Sequence, residues 1–349
     1  MTLRSVEGVP GPPYDRVLRG RLDVLTVESG ILAGNPLGDP RRRPLYVYSP
    51  PGIDSNGEYP SVYVIQGFTG QLTMWFGRTA FEPTIFERID DLFSDDDVRR
   101  AVVVFVDAWT AYGGSQFINS TGTGRYMDYL CDEVVAFVDE RYPTIADRAH
   151  RGLTGKSSGG YGAMVVPMLR PDVFGALASH AGDALFEACY LPDFRTVART
   201  LRDKFDGSYD VFFERFRAAE RFDFNLYGEP LETYAMAACY SPDESAPGRA
   251  TLPFEIDTGR LLDEVWDRWL RWDPVRMAPE HADALGSMKR IYLDAGRSDD
   301  YFLDLGAQAF SKELTKQGID HSLILFEGTH GGLQYRYPGA IRTLTEALA

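Results

Sequence analysis

Ser157 has the sequence setting of a nucleophile. It is the centre of Gly-Lys-Ser-Ser-Gly at residues 155–159, with a strand-like apolar run before it and a helix-like run after it. A serine in such a Gly-x-Ser-x-Gly pattern occupies a sharp turn that exposes its hydroxyl, and glycines let the strand and the helix pack closely. A glycine-rich turn can also serve packing alone. The interpretation therefore depends on the partners that the rest of the chain offers.

A serine nucleophile needs a base, and the chain has few candidates. In an open parallel sheet, ligands bind at the carboxyl ends of the strands, and only His180 and His330 follow strand-like runs there. His330 lies in a short glycine-flanked loop and comes after Ser157 in the chain. We predict His330 as the base and keep His180 as the alternative, which could also line the pocket. The histidines set aside are His150, His281 and His321.

The base in turn needs a carboxylate that orients it. The run at 290–295 leads into Gly-Arg-Ser-Asp-Asp, which places Asp299 and Asp300 at a strand end. We predict Asp299 as the acid and Asp300 as the alternative. Both aspartates could instead serve as turn residues or cap the helix that follows.

The negative oxygen that forms during acyl transfer needs preorganised N–H donors. One donor should be the backbone amide of Ser158, directly after the nucleophile at a helix start. The second should come from the loop after the strand at 61–66, which reads Gly-Phe-Thr-Gly. We predict the amide of Phe68, with Thr69 as the next choice.

The elements that must position these residues alternate along the chain. Strand-like apolar runs occur at 61–66, 101–107, 150–154, 176–181, 290–295 and 322–326, with helical patterns between several of them. Continuous apolar runs suit strands buried on both faces, so we predict an α/β fold with a mostly parallel central sheet. Residues 20–29 and 44–49 predict two antiparallel strands that extend one edge.

The alternation stops between residues 186 and 286. This stretch is rich in aromatic and charged residues, and we predict a helical insertion, or cap, within a single domain of residues 1–349. Its aromatic residues could form an ordinary core or wall an apolar substrate pocket. The pocket candidates, for each of which packing is the competing role, are Trp75, Trp109, His180, Trp266 and Trp269.

Composition excludes several classes of partner. The net charge of −15 argues against binding to nucleic acid or an anionic membrane, since both carry negative charge. Cys131, Cys189 and Cys239 are too widely spaced for a metal motif or a disulfide framework. The first ten residues lack the apolar region of a signal peptide, which predicts a cytoplasmic protein unless a leader was removed. We expect no metal or organic cofactor, and a homo-oligomer stays possible.

Together these motifs resemble the esterase D / feruloyl-esterase-like branch of the α/β-hydrolases. That branch includes S-formylglutathione hydrolases, enterochelin esterases and acyltransferases of the antigen 85 type. The resemblance covers about 45–183 and 288–349; the matching stretches are 59–68, 117–120, 155–163, 170–176, 296–299 and 328–330. It implies a three-layer α/β-hydrolase sandwich with Ser157, Asp299 and His330 as the triad. It also implies Phe68 and Ser158 as oxyanion donors.

The chain departs from the family in three places. The oxyanion strand ends in Gln66-Gly67, where the family often has His-Gly, and no cysteine-containing oxyanion segment of the S-formylglutathione hydrolase kind is present. The aromatic insertion has no counterpart. We expect a serine carboxylesterase that forms an acyl-enzyme on Ser157 and acts on a small-molecule ester. The alternatives are an acyltransferase with the same triad and a non-catalytic binding protein on the same fold.

Overall fold

In the part of the chain that the structure describes, the strands form one large sheet and one small hairpin. The structure, a computed structural model, describes residues 17–79 and 81–349, so the N-terminal ten residues behind the cytoplasmic prediction lie outside the described residues. The strands are β1 (Arg21–Glu28), β2 (Arg42–Ser49), β3 (Ser61–Ile65), β4 (Val102–Val106), β5 (Asn119–Ser120), β6 (Gly124–Arg125), β7 (Arg151–Ser157), β8 (Ala176–Gly182), β9 (Arg290–Gly296) and β10 (Ser322–Phe326).

The large sheet has eight strands in the order β1-β2-β4-β3-β7-β8-β9-β10 within the described residues. All neighbouring pairs from β4 to β10 are parallel, whereas β2 runs antiparallel to both β1 and β4. The predicted parallel sheet with an antiparallel N-terminal edge is confirmed. Strands β3 and β4 are buried along their whole length, as their continuous Val, Ile and Phe residues require.

Helices cover the sheet and fill the connections. They are α1 (Ile85–Leu92), α2 (Tyr126–Asp128), α3 (Val135–Asp139), α4 (Ser158–Leu169), α5 (Phe186–Cys189), α6 (Phe194–Lys204), α7 (Tyr209–Ala218), α8 (Phe224–Tyr240), α9 (Asp263–Leu270), α10 (Pro274–Met277), α11 (Ala282–Gly286), α12 (Leu303–Lys316) and α13 (Tyr337–Ala347). A π-helical turn joins α2 to α3. None of the helices in the described residues is long and apolar enough to cross a membrane.

Residues 186–286 contain helices α5 to α11 and contribute no strand to the large sheet. Their apolar side chains do not form a separate small core. Phe194 and Trp269 of the insertion belong to the same buried cluster as Leu177 of β8 and Leu293 of β9. The insertion and the sheet thus share one hydrophobic core, and a cap subdomain with its own boundaries stays a prediction.

Candidate active site

The turn at Ser157 has the strained geometry that its sequence predicts. Ser157 ends β7 and precedes α4 with φ 58° and ψ −129°, a conformation that costs a non-glycine residue about 1–3 kcal/mol. A Cβ atom on Gly155 would lie 2.5 Å from the carbonyl carbon of Gly159, and one on Gly159 would lie 2.5 Å from the Ile65 oxygen. Glycine is therefore needed at both positions for strand and helix to approach this closely.

Two loops bring a histidine and a carboxylate to this turn. His330, in the loop after β10, has its Nε2 atom 3.1 Å from the Ser157 Oγ atom. Its Nδ1 atom lies 2.9 Å from Oδ2 of Asp299, in the loop after β9. The Asp299 side chain is fully buried and that of His330 is 11% exposed. With the imidazole proton on Nδ1, Nε2 is free to accept the serine proton.

The two candidate acids have different contacts. Asp299 uses Oδ2 for the imidazole, while its Oδ1 accepts the backbone amides of Tyr301 and Leu303 at 2.9 and 3.3 Å. Asp300 accepts the backbone amide of His330 at 3.2 Å and makes no imidazole contact. The geometry favours Asp299 as the acid and gives Asp300 the task of holding the His330 backbone.

Hydrogen bonds also distinguish the candidate oxyanion donors, because an amide that already has an acceptor cannot bind the substrate oxygen. The Thr69 amide donates to the Gly113 carbonyl at 2.8 Å, so it is not free to bind a substrate oxygen. Among the residues that the structure describes, the Phe68 amide has no acceptor within hydrogen-bond distance. The Ser158 amide is the first of α4, where backbone N–H groups have no acceptor within the helix. A Cβ on Gly67 would lie 3.0 Å from Cβ of Ser157, so this loop passes directly beside the nucleophile.

A small cleft lies beside these amides. Its walls include Gln66, Gly67, Trp109, Gln116 and Ser158, so both polar and apolar groups line it. Trp109 is the pocket candidate that lines this cleft.

The structure does not place the other four pocket candidates on this cleft. His180 is completely buried, and its Nδ1 atom lies 2.7 Å from Oδ1 of Asp294. Trp75 packs edge-on against Phe105 and Tyr337 in the core, with ring centroids about 5.5 Å apart. These side chains point into the packed interior, where neighbouring elements cover them.

Trp266 and Trp269 are core residues of the insertion. Trp269 is fully buried, its ring lies edge-on to that of Phe194 at 5.4 Å, and its indole N–H donates to Ser241 Oγ at 2.8 Å. Trp266 packs against the same phenylalanine ring at 5.5 Å. For both tryptophans the structure shows packing, the competing role that the sequence left open.

Charged groups near the triad have shifted proton affinities. Burial lowers the pKa of Lys156, and the neighbouring carboxylates, Asp299 first, oppose that shift. The Tyr301 ring lies edge-on to the His330 imidazole at 4.8 Å. Burial, with help from nearby carboxylates, raises the pKa of Tyr301 to about 12, so its phenol stays neutral at physiological pH.

In the described residues, no group of three or more His, Cys, Asp or Glu side chains is arranged to hold a metal.

Sequence reasoning missed one buried acid next to the site. Asp183 follows β8 and accepts a hydrogen bond from the Ser158 hydroxyl at 3.1 Å. Its position after a strand, in Ser-His-Ala-Gly-Asp, was a signal that it could face the site. The same argument drew attention to His180, three residues earlier.

Comparisons with known proteins identify a family and a fold for the chain. A family model described as "Putative esterase" matches residues 39–339. A protein of Corynebacterium glutamicum described as uncharacterized is 23% identical over 172 residues, which are 49% of this chain but 38% of that relative. The chain therefore spans well under half the length of this curated relative.

Solved structures share the fold at low identity. A ferulic acid esterase has a TM-score of 0.61 and 15% identity over 95% of this chain and all of its own. An S-formylglutathione hydrolase from Agrobacterium tumefaciens has a TM-score of 0.55 and 14% identity over 96% of this chain and 98% of its own. At such identities the likeness concerns the fold, which is that of the α/β-hydrolase esterases.

Proposed function

The chain belongs to the "Putative esterase" family. From that premise we propose that it is a serine hydrolase of ester bonds whose catalytic triad is Ser157, His330 and Asp299. The observation that carries the proposal is the continuous contact from Asp299 Oδ2 to His330 Nδ1 and from His330 Nε2 to Ser157 Oγ. A base within reach of the nucleophile, itself oriented by a carboxylate, is the arrangement that activates a serine.

Acylation begins when the Ser157 oxygen attacks the ester carbonyl. His330 Nε2 accepts the serine proton, and the Asp299 carboxylate stabilises the imidazolium that forms. The tetrahedral intermediate then collapses. His330 returns the proton to the departing alcohol oxygen, and the acyl group stays on Ser157 as an ester.

Deacylation repeats these steps with water as the nucleophile. His330 Nε2 takes a proton from the water as it attacks the acyl-enzyme carbonyl, then gives it back to the Ser157 oxygen as the acid leaves. No feature of the described residues favours a second alcohol over water as acceptor. We therefore propose carboxylic ester hydrolysis.

The amides of Phe68 and Ser158 are the proposed oxyanion donors in both half-reactions. The position of Ser158 at the start of α4 supports this role, because the helix dipole adds to the donor strength of its amide. The free Phe68 amide in the loop beside Ser157 supports the second donor. Each such donor contributes roughly 10²–10³-fold to kcat in serine hydrolases.

The test is hydrolysis of p-nitrophenyl acetate by the wild type and by Ser157→Ala. We expect Ser157→Ala to lower kcat by a factor on the order of 10⁴ or more, because the variant has no nucleophile. Ser158→Ala is the matched control: it removes the neighbouring hydroxyl, keeps the backbone amide and should lose far less activity. A fluorophosphonate probe should label Ser157 alone. Equal rates in wild type and Ser157→Ala would contradict the proposal.

A further inference from the structure

Asp183 collects an unusual set of hydrogen bonds. Its side chain is buried, and one carboxylate oxygen, Oδ2, accepts from three donors. They are the Ser158 hydroxyl at 3.1 Å, the Gln116 amide Nε2 at 3.0 Å and the Tyr190 hydroxyl at 2.7 Å. The three donors come from three separate segments of the chain. A buried carboxylate with this donor set fixes those segments relative to one another.

The donors connect the helical insertion to the catalytic turn. Tyr190 directly follows α5, the first helix of the insertion. Gln116, in the segment between β4 and β5, also has its Nε2 atom 2.8 Å from the hydroxyl of Tyr240, the last residue of α8. One tyrosine of the insertion, Tyr190, therefore binds Asp183 directly, and a second, Tyr240, is connected to it through Gln116. All of these side chains are buried.

Ser158 links the Asp183 hydrogen bonds to the proposed oxyanion site. Its backbone amide is a proposed oxyanion donor, and its side chain is the one tied to Asp183. An oxyanion donor works only when it is already aimed at the position that the oxygen will occupy. A side-chain bond on the same residue restrains the first turn of α4 and with it the direction of this amide.

We propose that Asp183 is a positioning residue through which the helical insertion holds the Ser158 oxyanion donor in its productive orientation. Among the described residues, Asp183 has no hydrogen bond to Ser157, and it acts through the Ser158 hydroxyl. The inference rests on the proposed function, since it assigns a cause to the placement of one of its oxyanion donors. It also gives the insertion a task other than walling the pocket.

The buried environment also affects the Asp183 carboxyl group itself. Burial raises its pKa, and the hydrogen bonds from Tyr190 and Gln116, together with a positive charge on a protonated His330, offset only part of that rise. The proposal does not depend on this shift, because it is carried by the three hydrogen bonds to Oδ2.

The central experiment removes one donor from the insertion while keeping its ring. Tyr190→Phe preserves the aromatic packing with Phe186 and Trp269 but deletes the hydroxyl that binds Asp183. We expect kcat to fall on the order of 10-fold, a fraction of what a whole oxyanion donor contributes, with KM changed less than about twofold. The matched control is Tyr209→Phe, another buried tyrosine of the insertion, whose hydroxyl donates to the Pro230 carbonyl instead. Its kcat should stay within about twofold of wild type.

A transition-state readout separates positioning from loss of folded protein. A trifluoromethyl ketone that matches the acyl group forms a tetrahedral adduct on Ser157 whose oxygen occupies the oxyanion site. We expect its affinity to fall in Tyr190→Phe by the same factor as kcat. Ser158→Ala should show a similar loss, and adding Tyr190→Phe to it should cost little more, because both changes break one connection.

Asp183→Asn provides a second route to the same answer if other variants fold poorly. It keeps an acceptor oxygen at the same place and removes the possibility of charge, so it should retain more activity than Tyr190→Phe combined with Ser158→Ala. The inference is overturned if Tyr190→Phe and Tyr209→Phe have the same kcat and ketone affinity. It is also overturned if Ser158→Ala and Tyr190→Phe act additively. A fully active Ser157→Ala would instead refute the proposed function itself, so the two failures are distinguishable.

Discussion

The edge of the sheet that carries the proposed triad, here the triad edge, and the helical insertion are built in different ways. At the edge, Ser157 ends β7, while Asp299 and His330 follow β9 and β10. Strand order and backbone conformation bring these three residues together. In the insertion, helices α5 to α11 are held by aromatic side chains, such as the ring of Phe194 against those of Trp266 and Trp269.

This difference determines what each region can do. A strand end has a fixed place in the sheet, so a short loop after it can hold a reacting group in register. A helix held by packing of large aromatic rings has no hydrogen-bonded register that fixes the position of the residue at its end. The insertion reaches the site by the polar ends of its aromatic residues, Tyr190 and Tyr240, at the Gln116 and Asp183 side chains.

The largest expected effect tests whether Asp299, and not Asp300, is the acid of the proposed triad. Asp299→Asn should lower kcat on the order of 10⁴-fold, about 5 kcal/mol, because asparagine stabilises the wrong imidazole tautomer. Asp300→Asn is the matched control, since its side-chain oxygen can still accept the His330 amide. It should lose less than about 10-fold. The measurement is kcat for p-nitrophenyl acetate in both variants.

Either of two results would contradict the assignment of Asp299 as the acid. Equal losses in both variants would mean that the loop after β9 acts as a unit and that the imidazole contact of Asp299 is not special. A larger loss in Asp300→Asn would transfer the role of acid to Asp300. Circular dichroism of each variant shows whether the loop change has altered the fold.

The strands at the triad edge could be predicted from the sequence because the information that specifies them is local. A buried Val-rich run indicates a strand, and the residue that follows the run is then expected at the carboxyl edge of the sheet. The face on which a side chain lies is less easily predicted. His180 and Asp183 both belong to the carboxyl end of β8, yet His180 shares a face with Ala176 and Ala178, which pack in the same cluster as Tyr337 of α13. Its imidazole therefore meets Asp294 inside the protein instead of the cleft.

The role of Asp183 could not be predicted from local pattern. Its partner Gln116 is 67 residues away in the chain, in the segment between β4 and β5, so only the folded sheet brings the two side chains together. The same holds for the tryptophans. A Trp-x-x-Trp spacing indicates a helix face, but whether that face meets solvent, substrate or the sheet depends on tertiary packing.

The next effect concerns the insertion, where stability should respond more than chemistry. Trp269→Ala should lower the free energy of unfolding by about 3–5 kcal/mol, because the ring is fully buried and its N–H is bonded to Ser241. Trp272→Ala, at a partly exposed tryptophan three residues later, is the control and should cost about 1 kcal/mol. Urea unfolding followed by fluorescence and by esterase activity measures both.

The shape of that unfolding curve sharpens the comparison further. Because the insertion and the sheet share one buried cluster, we expect fluorescence and activity to be lost in a single coincident transition. A separate early transition in Trp269→Ala, with the sheet still folded, would contradict a shared core. It would favour a cap that folds as its own unit.

The smallest expected effect is a pH dependence that belongs to the insertion alone. Burial raises the pKa of Glu232 on α8 to about 8, and the carboxylates of Asp183, Asp193 and Glu229 add to the rise. The folded protein therefore holds this proton more tightly than the unfolded chain, whose glutamate titrates near 4.5. The stability that the neutral side chain contributes is complete below about pH 4.5 and is lost as the pH rises through 8.

Glu232→Gln should remove this loss, which is on the order of 2 kcal/mol after allowance for partial exposure. The exposed Glu214→Gln on α7 should leave the dependence unchanged. Unfolding free energies of the three proteins at pH 6 and pH 9 measure the effect. If the wild type and Glu232→Gln lose equal stability over this interval, the pH sensitivity does not come from Glu232, and this prediction for the insertion is wrong.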